Sequence, residues 1–362
     1  MYLYNIDFND ILRPTIKFLL IIRGDIKMRF ITCASYYGSG SSAITDLISE
    51  YSPVLSLTDE EFRFLQDPHG ISDLEYYLVE NFNRHNSGWA LKQYKKLVDF
   101  YAGTFYTQRY EKFFKGNWKR TSYDYLNKLI LFKYQGWWMY DILDKGKLFY
   151  FTKRFPNKIL RTTIWRNKPE RVLNSMKKEI TYCSHPTEEE FLRDTKGYIE
   201  SLFSSINPKN KILMVDQLFP STNIKRFNRY FDDIKIFLVD RDPRDIFVLE
   251  KYVWKDGIIP TDPVTFCKWF KYTRFNRNKE LSENTNVKYI QFEDLIFKYD
   301  ELVSQVEDWL NLKKEDHTKY KQVFNPQESI KNTQTWLRYK CDLNEIKYIE
   351  KELKEYLYDF RN

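Results

Sequence analysis

The chain is poor in the residues that build metal sites and covalent frameworks. Its 362 residues include four cysteines (Cys33, Cys183, Cys267, Cys341) and four histidines (His69, His85, His185, His317). No two cysteines are close in sequence and no histidine lies at ligand spacing from them, which argues against a zinc site or a disulfide framework and fits a reducing, cytoplasmic setting. Glycine is scarce at 11 residues, well under the usual ~7%, so any glycine cluster carries weight. Long apolar runs are missing as well. The longest near the start, Ile16–Ile22, is broken by Lys17 and followed by Arg23-Gly24-Asp25. It is too short to span a bilayer and lacks a small-residue cleavage site, so no transmembrane segment and no secretion signal is expected. The chain shows no Gly/Ser linker, repeat or low-complexity stretch, which argues for one large domain with insertions. Residues 1–27 read as a separable extension, either an extra helix or an overextended gene start.

Aromatic residues, by contrast, are abundant, at 28 Tyr, 28 Phe and 9 Trp, and 43% of residues are hydrophobic against 30% charged. Such a chain buries a sizeable core and does not stay disordered. Lys and Arg total 58 against 50 Asp and Glu, a net charge of +8. The surplus favours an anionic partner: nucleic acid, a membrane surface, or a small molecule bearing phosphate or sulfate. The cations read as spread along the chain rather than gathered in one stripe, which argues against nucleic acid.

Strand and helix patterns alternate. Phe30–Ala34, Val54–Leu57, Lys211–Val215, Ile234–Val239 and Val287–Phe292 read as short buried strands. Ile44, Leu47, Ile48 and Tyr51 fall on one helical face, and Tyr299–Leu312 is amphipathic. Residues from about 73 to 165 are helical in tone and rich in Tyr, Phe and Trp, including Gly136-Trp137-Trp138. The alternation implies an α/β fold with a parallel sheet flanked by helices, whose ligands sit at the carboxyl ends of the strands.

Four short segments can carry chemistry. Between the first strand and helix, Gly38-Ser39-Gly40-Ser41-Ser42-Ala43 fits G-x-G-x-x-A, so a dinucleotide fold is one reading, although two bulky tyrosines precede it. The segment also resembles a phosphate loop, but no lysine follows Gly40, so triphosphate hydrolysis lacks its clamp. What remains is a helix N-terminus with three serine hydroxyls, suited to one tetrahedral anion; its bland alternative is a turn and helix cap. The second segment is Val239-Asp240-Arg241-Asp242-Pro243-Arg244-Asp245. Asp242 suits a helix cap, Pro243 the first turn and Asp245 the helix dipole. Arg241 is left at the strand's end, where it can clamp a phosphate or join a surface ion-pair network. Phe292-Glu293-Asp294-Leu295 and the polar loop Ser329–Trp336 complete the set.

Together and in this order these segments resemble the PAPS-dependent sulfotransferase family, of the bacterial, carbohydrate type. Ser39-Gly40-Ser41-Ser42 stands where the family has Ser-Gly-Thr-Thr, Arg241-Asp242-Pro243-Arg244-Asp245 is similar to its 3′-phosphate motif, and Phe292–Leu295 to its Tyr-Glu-Asp-Leu element. The Lys331 region occupies the place of its basic C-terminal loop. The likeness runs from about residue 28 to 340. It implies a P-loop-like sulfotransferase fold over residues 28–362 with a helical, aromatic-rich insertion at about 73–165. Three positions depart from the pattern: Gly38 replaces a Lys or Arg, Leu249 replaces a serine, and Asp216-Gln217-Leu218-Phe219-Pro220 replaces Asp-Lys-x-Pro.

The resemblance implies transfer of a sulfuryl group from PAPS (3′-phosphoadenosine 5′-phosphosulfate), leaving PAP, to a hydroxyl of a small-molecule or glycan acceptor. A carbohydrate is expected, with a sterol or lipid alcohol and a P-loop small-molecule kinase as alternatives. Gly38, the Gly40–Ala43 amides and the Ser39, Ser41 and Ser42 hydroxyls would hold the 5′ end; Arg241 and Lys331, with Asn332 beside them, would take the 3′-phosphate. No metal is implied, because no carboxylate pair accompanies the loop. Glu61, in Glu61-Phe62-Arg63-Phe64, resembles the family's catalytic glutamate and is expected to be a general base desolvated by the flanking aromatics. Asp59 and Glu60 compete with it, and His69 and His85 are fallbacks. Arg63, Lys153 or Arg154 would replace the missing loop cation, and the aromatic insertion would either line the acceptor pocket or form a core of its own.

Overall fold

The computed structural model describes residues 27–57, 60–103, 109–136, 141–168, 170–177 and 180–360. The expected extension before Met28 and the residues Asp59, Trp137 and Trp138 lie outside these, Lys27 excepted. Five strands, β1 (Arg29–Cys33), β2 (Val54–Leu57), β5 (Ile212–Asp216), β6 (Asp233–Asp240) and β7 (Val287–Gln291), form one sheet in the order β2-β5-β1-β6-β7. All four pairings are parallel. The expected α/β class, with a P-loop-like strand, turn and helix at its centre, is therefore what the chain adopts.

Each strand is apolar on both sides because both faces are covered. Phe30, Leu213, Val215, Ile236 and Leu238 enter one core. Their neighbours Ile31, Cys33, Met214, Phe237 and Val239 enter another, against α1 (Ser42–Ser49). The long insertion covers the first face with α2 (Arg84–Ala102) and α3 (Trp118–Leu129), joined by α4 (Glu188–Ser204). Tyr94, Tyr110, Phe114, Trp118 and Tyr125 belong to the same continuous cluster as Phe30 and Ile236. The insertion thus has no separate core; its aromatics are the lid of the sheet. It is also not wholly helical. Phe132–Gln135 (β3) and Ile180–Cys183 (β4) pair antiparallel as a ribbon, and the period-2 signal of so short a pair was masked by the surrounding aromatics. Past β6, α5 (Pro243–Leu249), α6 (Pro263–Thr273) and, after β7, α7 (Tyr299–Leu310) and α8 (Leu343–Glu352) complete the fold, with α5, α6 and α8 sharing a third cluster.

The carboxyl end of β6 is held by a buried ion pair. Arg274, just past α6, donates from Nε and Nη2 to Asp240 at 3.0 and 2.7 Å, and Arg277 adds a contact at 3.2 Å. The Arg274 guanidinium lies between the rings of Tyr36 and Phe270, 4.2 and 3.5 Å from their centroids. Removing one partner of such a pair strands a buried charge, at a cost of about 3–5 kcal/mol. Arg274→Met is therefore expected to lower unfolding stability by that order in urea titration, and Asp240→Asn in the same chain to recover part of the loss. Equal stability of Arg274→Met and the wild type would show that Arg277 alone suffices.

Candidate functional site

The glycine turn follows β1, between the carboxyl ends of β5 and β6, where strand order reverses and α/β sheets place their ligands. Gly38 and Gly40 both have positive φ, at 73° and 80°. A Cβ on Gly40 would stand 2.7 Å from the Phe292 ring, so only glycine lets the chain pass beneath Phe292 and turn into α1. Ser41, at the helix start, makes no side-chain cap bond. Ser39 Oγ is buried and, among the described residues, has no hydrogen-bond partner. A buried hydroxyl left unpaired is costly unless a ligand completes it. The Ala43 amide, by contrast, donates to the Gly40 carbonyl at 3.1 Å, and Ala43 lines neither of the cavities described next. It leaves the anion-binding set, because the first turn of the helix has already used its N–H.

Two cavities meet at the turn, both lined by Gly38, Gly40 and Ser42. The one on the β6 side, about 580 Å³, adds Arg241, Lys331, Asn332 and Arg338, with a wall of Leu249, Val253, Trp254, Phe292 and Tyr339. The structure therefore brings Arg241, Lys331 and Asn332 together as expected. Arg241 is buried; its guanidinium lies 4.6 Å from the Phe292 ring centroid, it donates to the Asn332 carbonyl, and its Nε has no partner among the described residues. Burial lowers its pKa, against the pull of Asp245, Glu293 and Asp242.

The neighbouring acids turn out to be scaffold. Asp242 caps α5 through the Arg244 amide, and Glu293 accepts from the Asp242 amide at 2.9 Å. Burial raises Glu293 to about 8, reinforced by Asp242. Asp245 stands in the first turn of α5, as its expected place by the helix dipole required, and also accepts from the Gln334 and Thr335 amides and the Thr335 hydroxyl at 3.1, 2.6 and 2.6 Å, pinning the loop that carries Lys331 and Asn332. Arg338 was missed; the only sequence signal for it is a second cation shortly after Lys331.

The cavity on the β5 side, about 530 Å³, is lined by Ser39, Ser41, Glu61, Arg63, Gln66, Asp216 and Gln217, with Tyr36, Tyr37, Tyr272 and Phe275. Its aromatics flank the turn or lie at and just past the end of α6; none of the insertion's aromatics lines either cavity. Glu61 is present, but its side chain is 57% exposed. Phe62 and Phe64, expected to desolvate it, are fully buried in the core instead, since alternate residues of the extended segment face opposite ways. Arg63 holds Asp67 at 2.9 Å and approaches Glu61 at 3.8 Å. Glu60 is paired with Arg109. Lys153, Arg154, His69 and His85 line neither cavity.

The better-placed carboxylate is Asp216, the last residue of β5. Its carbonyl accepts from the Phe62 amide at 3.1 Å, which sets it beside Glu61. Gln217 donates to Ser35 Oγ at 2.9 Å and its carbonyl accepts from Gln66, so the floor around it is fixed. Burial, and then the charge of Glu61, push Asp216 up to about 7 from an ordinary 3.8. A strand end followed by Gln-Leu-Phe-Pro carries no sign of this, because the environment arises from Glu61, some 150 residues earlier.

Fold and site together define an α/β protein with a P-loop-like anion turn between a cationic cavity and an acidic one. No family model matches the chain, and no curated protein matches it. Solved structures that resemble it include sulfotransferase STF9 from Mycobacterium avium (9% identity, 96% of this chain and 80% of that one, TM-score 0.38), the sulfotransferase domain from the curacin biosynthetic pathway (15%, 92% and 99%, 0.41), and the sulfotransferase domain of the Synechococcus PCC 7002 olefin synthase (12%, 93% and 98%, 0.38). Likeness this loose says nothing of substrate, and the functional reading rests on the site's own geometry.

The Asp216 environment has a measurable consequence. The folded protein keeps this proton up to about pH 7, whereas the unfolded chain releases it near the ordinary 3.8. Stability contributed here therefore falls as pH rises between those values, by on the order of 1–4 kcal/mol. Asp216→Asn is expected to raise Tm at pH 8 and to leave it nearly unchanged at pH 4. A Tm difference independent of pH would show that Asp216 does not titrate in this window.

Proposed function

We propose that the chain is a sulfotransferase that moves a sulfuryl group from PAPS to a hydroxyl of a neutral, sugar-like acceptor. The observation that carries this is the pair of cavities of opposite character meeting at one anion turn. The β6-side cavity suits a doubly phosphorylated purine nucleotide. Its flat apolar wall, with Trp254, accommodates a base, and Arg241, Lys331 and Arg338 supply three cations for a 3′-phosphate. The unpaired Ser39 Oγ and Arg241 Nε fit an anion that completes them. Gly40, Ser41 and Ser42, whose amides lack backbone partners among the described residues, would hold the 5′ end. Arg63, in the cavity that shares the turn, stands in for the cation that Gly38 lacks.

PAPS supplies the sulfuryl group: the acceptor oxygen bonds to sulfur as the bond from sulfur to the 5′-phosphate oxygen breaks, leaving PAP. The chain's own task is to place the acceptor and take its proton. Glu61 remains a candidate base by position, and Asp216 is the stronger one, since its proton affinity lies near neutrality. Two carboxylates in one cavity would repel an anionic acceptor, whereas Tyr37, Tyr272 and Phe275 with Gln66 and Gln217 offer stacking faces and amides to a neutral sugar. A sterol or lipid alcohol would use the aromatics and leave the amides unmatched. A small-molecule kinase would require a magnesium-dependent response to ATP.

PAP is expected to raise Tm while ATP and NAD do not; the reverse result would overturn the reading. With labelled PAPS and an acceptor panel, Arg241→Ala is expected to raise KM for PAPS by about 10–100-fold. Asp216→Asn is expected to lower kcat by about 10²–10⁴-fold with PAP binding kept, and Glu61→Gln to lower it less. Full turnover in Asp216→Asn with loss in Glu61→Gln would return the proton to Glu61.

A further inference from the structure

The net charge of the chain is not spread evenly along its sequence. Residues 141–171 contain nine Lys and Arg against three Asp and Glu. That is a net +6 in 31 residues, of the +8 carried by the whole chain. The same segment emerges between the two strands of the β3–β4 ribbon and is built of helices at Asp141–Phe149 and Phe155–Thr162 with a helical join between them. Gln93 and Lys96 of α2 hold Asp144 of this segment, and Asn157 Oδ1 accepts from the Leu173 amide just past it at 2.9 Å.

On this basic arm large apolar side chains face outward. Leu148 is 76% exposed, Ile164 75% and Phe151 63%, with Leu143, Phe155 and Ile159 also exposed. At its root Leu131, Phe132 and Ile180 are exposed too. Cations stand among them, at Lys147, Lys153 and Lys158 on the helical stretch and at Arg166 in the turn after it. An apolar surface of this size on a projecting element marks an interaction site. Apolar anchors set among Lys and Arg are the composition of an element lying in the interface of an anionic membrane, where the anchors enter the acyl boundary and the cations meet lipid phosphates.

We propose that residues 141–171 form a docking arm for an anionic lipid surface. A second copy of the chain is disfavoured because two such arms would oppose like charges. Nucleic acid accounts for the cations but leaves Leu148, Phe151 and Ile164 without a partner. Neither cavity of the proposed transfer site is lined by this arm, so the inference does not depend on the reaction assigned above.

Cosedimentation of the full chain with vesicles tests it. Binding is expected with phosphatidylserine-containing vesicles, to weaken steeply with salt, and to be near background with phosphatidylcholine alone. Lys147→Glu/Lys158→Glu/Arg166→Glu, and separately Leu148→Ser/Phe151→Ser/Ile164→Ser, are each expected to lower partitioning by about tenfold or more, with an unchanged circular dichroism spectrum and Tm. Absence of vesicle binding by the wild type would overturn the proposal. So would tighter binding to duplex DNA that the serine variant retains, a dimer that the serine variant dissociates, or vesicle binding that is lost on deletion of residues 1–26.

Discussion

The Asp240–Arg274 pair is the constraint on which the rest of the site depends. It sits in the low-dielectric end of the sheet, where neither charge can be left alone, and it ties three otherwise separate parts together. Asp240 is the last residue of β6 and accepts from the Arg241 amide. Its carbonyl receives the Phe292 amide at 2.9 Å, which fixes the start of the segment beneath the glycine turn. Arg274 belongs to the end of α6 and lies against Tyr36, on the approach to that turn. A shift in this pair therefore moves Arg241, Phe292 and the turn together.

Sheet order then divides the chemistry. Because β1 lies between β5 and β6, the turn that follows it has one strand end on either side. β6 delivers Arg241 to one side, and β5 delivers Asp216 to the other. Cations for an anionic donor and carboxylates for a proton can thus stand on opposite sides of one turn instead of neutralising each other. Phe292 separates them further: its ring supports Arg241 and restricts position 40 to glycine.

Much of this could be read along the chain. The five central strands were recognisable because a strand buried on both faces is a short, continuous apolar run, and the glycine turn stood out against so few glycines. Arg241 could be picked out because helix-start chemistry accounts for Asp242 and Pro243 but not for an arginine at a strand end, whereas Lys331 was singled out only through the family resemblance. The β3–β4 ribbon was hidden among aromatics that suit helix and strand equally. Asp245 could be read as a dipole partner in the first turn of α5, but its second role needed a loop about ninety residues later. Arg338 lacked any pattern of its own.

The sequence by itself determined the class of fold, the glycine turn and the arginine at the end of β6, because these follow from local periodicity, backbone freedom at glycine and helix-start chemistry. Only the tertiary structure shows that burial, with Glu61 beside it, raises the proton affinity of Asp216 toward neutrality. Glu61 had the motif and Asp216 has the environment, and proton affinity is set by burial and by charges brought close through folding. Folding likewise decided how one basic stretch is presented: residues 141–171, contiguous in the sequence, lie between the two strands of the β3–β4 ribbon with large apolar side chains exposed among their cations.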